Sequence, residues 1–374
     1  MLSSAYIFRT HQVAHGLYDH FFGGLYFALG APMMAQVALL VALPVTVLAA
    51  TAQTLTGQKR YSWITVSGGL FCFALLCFFT TQPWDELFVN LRHAQNVARA
   101  GTFSFNLDTP IEGTVDFLPY LVIGLLGRLG LPIVELSFLQ SGAGGILCIL
   151  AACSLLSASG VGTAWNASFL FFTLFAPLVL NSSNGFAATP FCACILWSIY
   201  LLFFSKKKSG RGWWLLSILP LIRFEGIALV CALWCYSTLR ARRAHHPVPW
   251  TAALSAAPWL LLCIWRWKTF HHLVPIPILY KSTTAGVFYV LVGLRNYLAD
   301  LVNGYGLASV SLLFLCRLVK PNSETRIPNE AHWIPLLTLL AGFSYTYYIS
   351  GGDWLPRYWS RYLLPFSMFA AITA

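Results

Sequence analysis

The residues in this sequence that could do chemistry are few, and they are widely separated. Only 12 of 374 residues are acidic, and five of them (Asp85, Glu86, Asp108, Glu112 and Asp116) fall in one hydrophilic stretch, 82–116. Adjacent carboxylates such as Asp85-Glu86 suit a general base beside a group that orients a hydroxyl or holds a cation. A second constellation is Arg223-Phe224-Glu225-Gly226, an ion pair and a glycine inside an otherwise apolar run. A third is the stretch from Pro275 to Lys281, and a fourth is Gly351-Gly352-Asp353-Trp354-Leu355-Pro356-Arg357 with Arg361 after it. Glycines let a ligand approach the backbone closely, and Arg and Lys match the oxygens of a phosphate. Carboxylates with several cations suit transfer of a group from a phosphate-linked donor. The carboxylate takes the proton of the attacking hydroxyl, and the cations stabilise charge growing on the departing phosphate.

Plainer readings compete at each position. Acids at a helix start favour the helix dipole, and Asp353 beside Trp354 would also serve as an interfacial anchor. Glu135 and Asp300 read as paired structural acids. His271-His272 lack a third ligand, so no metal site is expected there. Asn166-Ala-Ser and Asn181-Ser-Ser match the glycosylation sequon, which matters only in a compartment that glycosylates.

Whatever positions these residues has to be a membrane bundle. Charged residues make up 9% of the chain, hydrophobic ones 58%, and the mean hydropathy is +0.69. Soluble domains carry roughly 25% charge, and a disordered chain would not hold this much apolar surface. The net charge is +11, and seven of the 23 Lys and Arg fall in Lys206-Lys207-Lys208…Arg211 and in Arg240, Arg242 and Arg243. Both clusters end apolar segments, which marks the cytoplasmic side and suits anionic lipid rather than nucleic acid. The 10 cysteines lie in apolar runs without a Cys-x-x-Cys pair and read as small hydrophobes.

The N-terminus lacks a tripartite signal pattern. Apolar spans are expected at 31–55, 61–81, 117–131, 133–157, 163–180, 186–204, 250–268, 303–319 and 333–349. Segment 213–238 lies between two basic clusters that share a side. It is therefore expected to be a helical hairpin with Arg223–Gly226 at its outer tip, in a water-filled recess. Stretch 82–116, acidic in a basic chain, is placed outside the cytoplasm. Four apolar segments separate it from Lys206, so parity makes one of them a half-pass, with 117–131 and 163–180 the short candidates. After Pro83, Asp85, Arg92, Asn96 and Arg99 fall within roughly 60° on a helix, opposite Leu87, Leu91, Ala94 and Ala98. This predicts an interfacial helix with its polar stripe toward a cavity.

Asp85-Glu86-Leu-Phe-Val-Asn-Leu-Arg92-His-Ala-Gln-Asn96, then Gly101…Phe105-Asn106…Glu112-Gly113-Thr114, resembles the first outer loop of bacterial GT-C-fold glycosyltransferases. The likeness is to those akin to the mycobacterial terminal arabinofuranosyltransferase. Arg223-Phe-Glu-Gly226 is similar to that family's Arg-Pro-Glu-Gly. Pro275…Lys281 shares the ends of its Pro-Asn-Thr-Tyr-Tyr-Ala-Lys, and Gly351-Gly-Asp-Trp-Leu-Pro356 resembles its Gly-Gly-Asp-Trp-Met-Pro. Glu86 stands where the family has a second Asp, and Gly185-Phe-Ala-Ala-Thr189 lacks that family's acid.

The resemblance implies an all-α polytopic transmembrane bundle of GT-C type, a single domain over 1–374 with about 9–11 membrane segments. The last apolar run, 362–374, is short for a span, so the C-terminus reads as cut short. The implied activity is transfer of a sugar from a polyprenyl-phosphate donor to a cell-envelope glycan or other acceptor. It would act at the extracytoplasmic face of a bacterial inner membrane, among membrane lipid and without nucleic acid. Asp85 and Glu86 are the expected catalytic pair. Arg92, Asn96, Glu112, Arg223, Glu225, Lys281, Asp353, Trp354, Arg357 and Arg361 are the expected substrate-binding residues. No metal ligands are assigned, and a divalent cation is the one cofactor left open. The alternatives are a transporter or flippase for lipid-linked sugar, and a degenerate relative without catalysis.

Overall fold

The computed structural model describes residues 41–49, 52, 59–80, 85–158, 169, 172–173, 176–205, 209–243, 254–283, 364 and 368. Among them every regular element is a helix, and there is no strand. In chain order the helices are α1 (41–49), α2 (Lys59–Thr80), α3 (Asp85–Ala100), α4 (Phe117–Arg128) and α5 (Ile133–Ala158). Then come α6 (Ala176–Ser182), α7 (Ala188–Ile199, continued by a π-helical turn Tyr200–Phe204), α8 (Ser209–Ile222) and α9 (Gly226–Arg243). The last two are α10 (Ala257–Phe270) and α11 (Ile276–Thr283).

One described helix, α5 with 26 residues, is long and apolar enough to cross a membrane. At 1.5 Å per residue it rises about 39 Å. Trp63–Phe78, Phe117–Arg128, Ala188–Phe204, Arg211–Ile222 and Gly226–Leu239 are apolar but shorter. Helix α4, with 12 residues, rises only about 18 Å against a hydrocarbon core of roughly 30 Å. The spans expected at 303–319 and 333–349 lie outside the described residues.

Helices α3 and α4 lie side by side and run in the same direction. Gly124 of α4 packs on Ala94 and Val97, Gly127 on Ala98, and Arg128 reaches Gly101. Two successive helices can run parallel only if the chain between them travels back along the first, and residues 101–116 form that return strap. Helix α5 then reverses after a short turn, with Ile133 against Gly127. Along α5, Gly144 meets Pro190 of α7, and Cys148 donates from Sγ to the Thr189 carbonyl at 3.4 Å. Small residues and hydroxyls line this seam, the packing that lets apolar helices approach closely. Ser141 Oγ donates to Ser182 O at 2.8 Å and Thr189 Oγ1 donates to Ser141 O at 2.6 Å.

Helices α8 and α9 form an antiparallel pair. Arg223, at their junction, sits by Phe191 near the start of α7. Gly212 near the base of α8 packs on Leu202, and Tyr236 of α9 lies 6.0 Å from Phe203. Both arms therefore span the length of α7 and its π turn.

Two cores result. The larger joins α2 and α5 through α9, with Phe73, Ile149, Leu196, Leu216 and Leu233 buried. The smaller joins α3, the strap and α4 through Leu87, Leu91, Ala94, Val97, Phe103, Tyr120 and Ile123. The outward faces are apolar as well: Leu139 is 67% exposed and Leu261 66%, while Ser137, Ser141, Thr189 and Arg266 are wholly buried.

A candidate site of buried charge

The site is built on α3. Its apolar face, Leu87, Leu91, Ala94 and Val97, is buried against α4 and the strap, while Phe88, Arg92 and Arg99 face outward. The polar stripe expected to face a cavity is split. Arg92 is exposed and donates to Gln95 Oε1 at 3.2 Å, whereas Asn96 is buried. Asn96 Nδ2 donates to the carbonyls of Ser104 and Phe105, at 2.8 and 2.9 Å. These carbonyls belong to the returning strap, so strand-like backbone that has no sheet partner is satisfied by a side chain instead.

The strap closes on itself before it docks. Phe105 N–H donates to Ile111 O at 2.8 Å, and Ile111 N–H donates to Ser104 Oγ at 2.9 Å. Beyond this closure, Glu112 and Asp116 turn inward and are both buried. Arg266 of α10 meets Glu112 in a buried ion pair: Nε donates to both carboxylate oxygens, at 2.9 and 3.0 Å, and Nη2 lies 2.8 Å from Oε1, while Nη1 and Nη2 have no hydrogen-bond partner among the described residues. The guanidinium also sits over the Phe224 ring, 5.6 Å from its centre. Trp265, the preceding residue, packs on Phe103 and Phe117.

Asp116 immediately precedes α4. Asn90 Nδ2 of α3 lies 3.5 Å from its Oδ2, and Arg223 Nη1 lies 3.8 Å from its Oδ1. Arg223 Nε also donates to Glu225 Oε1 at 2.5 Å, within the α8–α9 junction. Two guanidiniums thus face three carboxylates. If all five were ionised the cluster would carry one surplus negative charge, and Glu225 Oε2 is buried without a hydrogen-bond partner among the described residues. Burial pushes the Glu112 carboxyl above its ordinary value, with the Arg266 charge pulling the other way.

A backbone polar group completes this end of the bundle. Tyr120 Oη donates to Gly185 O at 2.8 Å. Gly185 has φ +78 and a Cβ there would stand 2.9 Å from Leu87 Cδ2, so the turn between α6 and α7 needs glycine both for its left-handed backbone and for space. Leu87 lies in the first turn of α3. The start of α3, the strap, the α6–α7 turn and the α8–α9 junction are therefore neighbours.

Of the residues singled out from sequence, Glu112, Arg223 and Glu225 are brought together. Asn96 pins the strap, and Arg92 stands outside the cluster. Asp85 and Glu86 are the first residues of α3 and Lys281 lies in α11, but their side chains are outside the described residues. Asp353, Trp354, Arg357 and Arg361 also lie outside them. Among the described residues no group of three or more His, Cys, Asp or Glu could hold a metal ion. The sequence reading missed Arg266, Asn90, Tyr120 and the pairing of Asp116. Arg266 carried a signal, being a cation inside an apolar helix, the criterion that singled out Arg223.

No family model, curated protein or solved structure matches this chain.

Proposed function

We propose that this chain is a polytopic membrane glycosyltransferase of GT-C type that takes its sugar from a polyprenyl-phosphate donor. It works at the extracytoplasmic face of a bacterial inner membrane. Asp85 removes the proton of the acceptor hydroxyl as its oxygen bonds to the anomeric carbon. The bond from that carbon to the phosphate oxygen breaks, and polyprenyl phosphate leaves. Glu86 orients the acceptor or holds a divalent cation. Lys281, Arg357 and Arg361 hold the phosphate, and Asp353 and Trp354 contact the sugar.

The observation that carries this reading is the meeting of three separated motifs at one end of an apolar bundle. They are α3 at Asn90, the strap at Glu112 and Asp116, and the Arg223–Gly226 junction, with Arg266 between the last two. Apolar outer surfaces on α4, α5 and α10 support a lipid surround. A membrane enzyme is the natural host for a donor whose tail stays among helices while its sugar enters water.

The test is turnover of a radiolabelled polyprenyl-phosphate sugar by purified, lipid-reconstituted protein with a cell-envelope glycan acceptor. Asp85→Asn should abolish transfer while donor binding and thermal unfolding stay unchanged. Wild-type turnover by Asp85→Asn would overturn the assignment of the base. Counterflow of intact donor across proteoliposomes, with no covalent change, would replace the reading with transport.

A further inference from the structure

Arg266 has no part in the reaction just described, yet it is among the most completely buried side chains in the molecule. We propose that Arg266 is a positioning residue that acts through Glu112 to hold the 111–116 strap in place. It thereby fixes Asp116 against Asn90 and Arg223 and sets the start of α3. The inference rests on the function proposed above for what is positioned, but not for the latch itself.

The argument begins with reach. Glu112 lies 154 residues from Arg266, and the pair is the charged link between the strap and α10. On its other side the strap is tied to α3, where Gly113 N–H donates to His93 Nε2 at 3.1 Å. Glu112 and Gly113 are adjacent, so this part of the strap is clamped from two directions within two residues. Three residues later Asp116 meets Asn90 and Arg223. With Glu112 free, the strap would still be pinned by Asn96 at Ser104 and Phe105, but its 111–116 part would rest on the His93 imidazole, and Asp116 would lose its fixed approach to both partners.

The electrostatics point the same way. A buried guanidinium stays charged and needs a partner with matched geometry. Both Glu112 oxygens accept from its Nε, so the carboxylate's orientation is tied to that of the guanidinium. Glu112 thus has a structural role in the strap. The Phe224 ring under the guanidinium extends the latch to the α8–α9 junction, one residue from Arg223. One side chain thus fixes the strap and that junction relative to α10.

The experiment uses the full chain in lipid nanodiscs, with Arg266→Met, Arg266→Lys, Glu112→Gln and the reversed pair Glu112→Arg/Arg266→Glu. Two quantities are read: amide exchange at Gly113 and Asp116, and turnover of a polyprenyl-phosphate sugar. Arg266→Met should speed exchange at both amides by about tenfold or more while amides in α5 and α7 hold their protection. It should lower kcat by roughly a hundredfold with little change in the donor KM, since misplacement by about an ångström has that effect. Arg266→Lys, with a point charge in place of the planar guanidinium, should fall between. The reversed pair should recover protection and part of the turnover. Should Arg266→Met fail to fold, Glu112→Gln, nearly the same shape, carries the test.

Unchanged exchange in Arg266→Met, or in Glu112→Gln where only that variant folds, overturns the latch. Faster exchange with unaltered kcat overturns its role in positioning the site. If wild-type protein transfers no sugar, the proposed function falls, and the exchange data alone decide whether Arg266 holds the strap.

Discussion

His93 accepts the amide hydrogen of Gly113 on Nε2 at 3.1 Å, across twenty residues of sequence. Its Nδ1 lies 2.8 Å from Val89 O, so the ring proton sits on Nδ1 and donates there. The imidazole is buried between α3 and the strap, beside Phe103 and Phe105. Only the neutral ring can make both bonds, because a second proton would occupy the acceptor that Gly113 uses.

That geometry sets a pH dependence. Burial pushes the His93 pKa below its ordinary value of 6.5, with backbone hydrogen bonds opposing. His93 therefore takes up a proton more readily when the strap is detached than when it is docked. Docking is at full strength above pH 6.5 and weakens as pH falls through 6.5 toward the lower docked value. Exchange of the Gly113 amide, corrected for its intrinsic rate, should accelerate on acidification in that window. In His93→Gln the same profile should be flat, and a flat wild-type profile would show that the ring does not hold the strap.

The helices, and the break between α8 and α9 at Arg223-Phe-Glu-Gly226, were legible because apolar runs and an ion pair inside one are local signals; the water-filled recess expected at that break is not found, since Arg223 is buried. The buried face of α3 was legible for the same reason: Leu87, Leu91 and Ala94 recur at helical spacing, and all are buried. What sequence hid was partnership over long range. Asn96 shares a stripe with Arg92 and Arg99 by angle alone, yet a strap eight residues on takes its amide. Periodicity carries no information on where a loop lies, so a residue at the edge of a polar stripe can turn either way. Helix lengths were hidden too, since an apolar run from 117 to 131 does not reveal that the helix stops at Arg128.

Asn96 offers a direct test of the strap's dependence on side-chain donors. Asn96→Ala removes donors to the Ser104 and Phe105 carbonyls and leaves buried acceptors unpaired. The expected cost is about 1–3 kcal/mol, confined to the strap. It should appear as faster exchange at Phe105 and Ile111 and a lower midpoint in thermal unfolding. Asn96→Asp should be worse than Asn96→Ala, because it sets a carboxylate against two carbonyl oxygens.

Arg223 should be the most costly residue of the cluster to remove. Arg223→Met leaves Asp116 and Glu225 buried without their shared cation, a loss of about 3–5 kcal/mol by analogy with broken buried pairs. Asp116→Asn should cost less, since Glu225 still holds Arg223 through Nε. Thermal unfolding of the two variants at a fixed scan rate ranks them. Equal or reversed effects would mean that Arg223 acts mainly through Asp116 and that its bond to Glu225 adds little.

Gly124 and Gly142 form a matched pair for testing how closely α3 and α4 must approach. Both are helical glycines, so replacement by Ala brings the same intrinsic gain, about 1 kcal/mol. At Gly142 the nearest atom to an added Cβ is Ser182 O at 3.9 Å, ordinary contact, so Gly142→Ala should be neutral or stabilising. At Gly124 the added atom would stand 2.6 Å from Val97 Cβ and 2.7 Å from the Ala94 carbonyl oxygen. Backbone cannot rotate away as a side chain can, so the two helices must separate, at about 1–3 kcal/mol. Separation would also draw Asp116, just before α4, away from Asn90 on α3, already at 3.5 Å. Gly124→Ala should therefore lower the unfolding midpoint and weaken sugar transfer together, while Gly142→Ala changes neither adversely. A Gly124→Ala protein as stable as wild type would show that the parallel α3–α4 contact is looser than the Gly124–Ala94 approach requires.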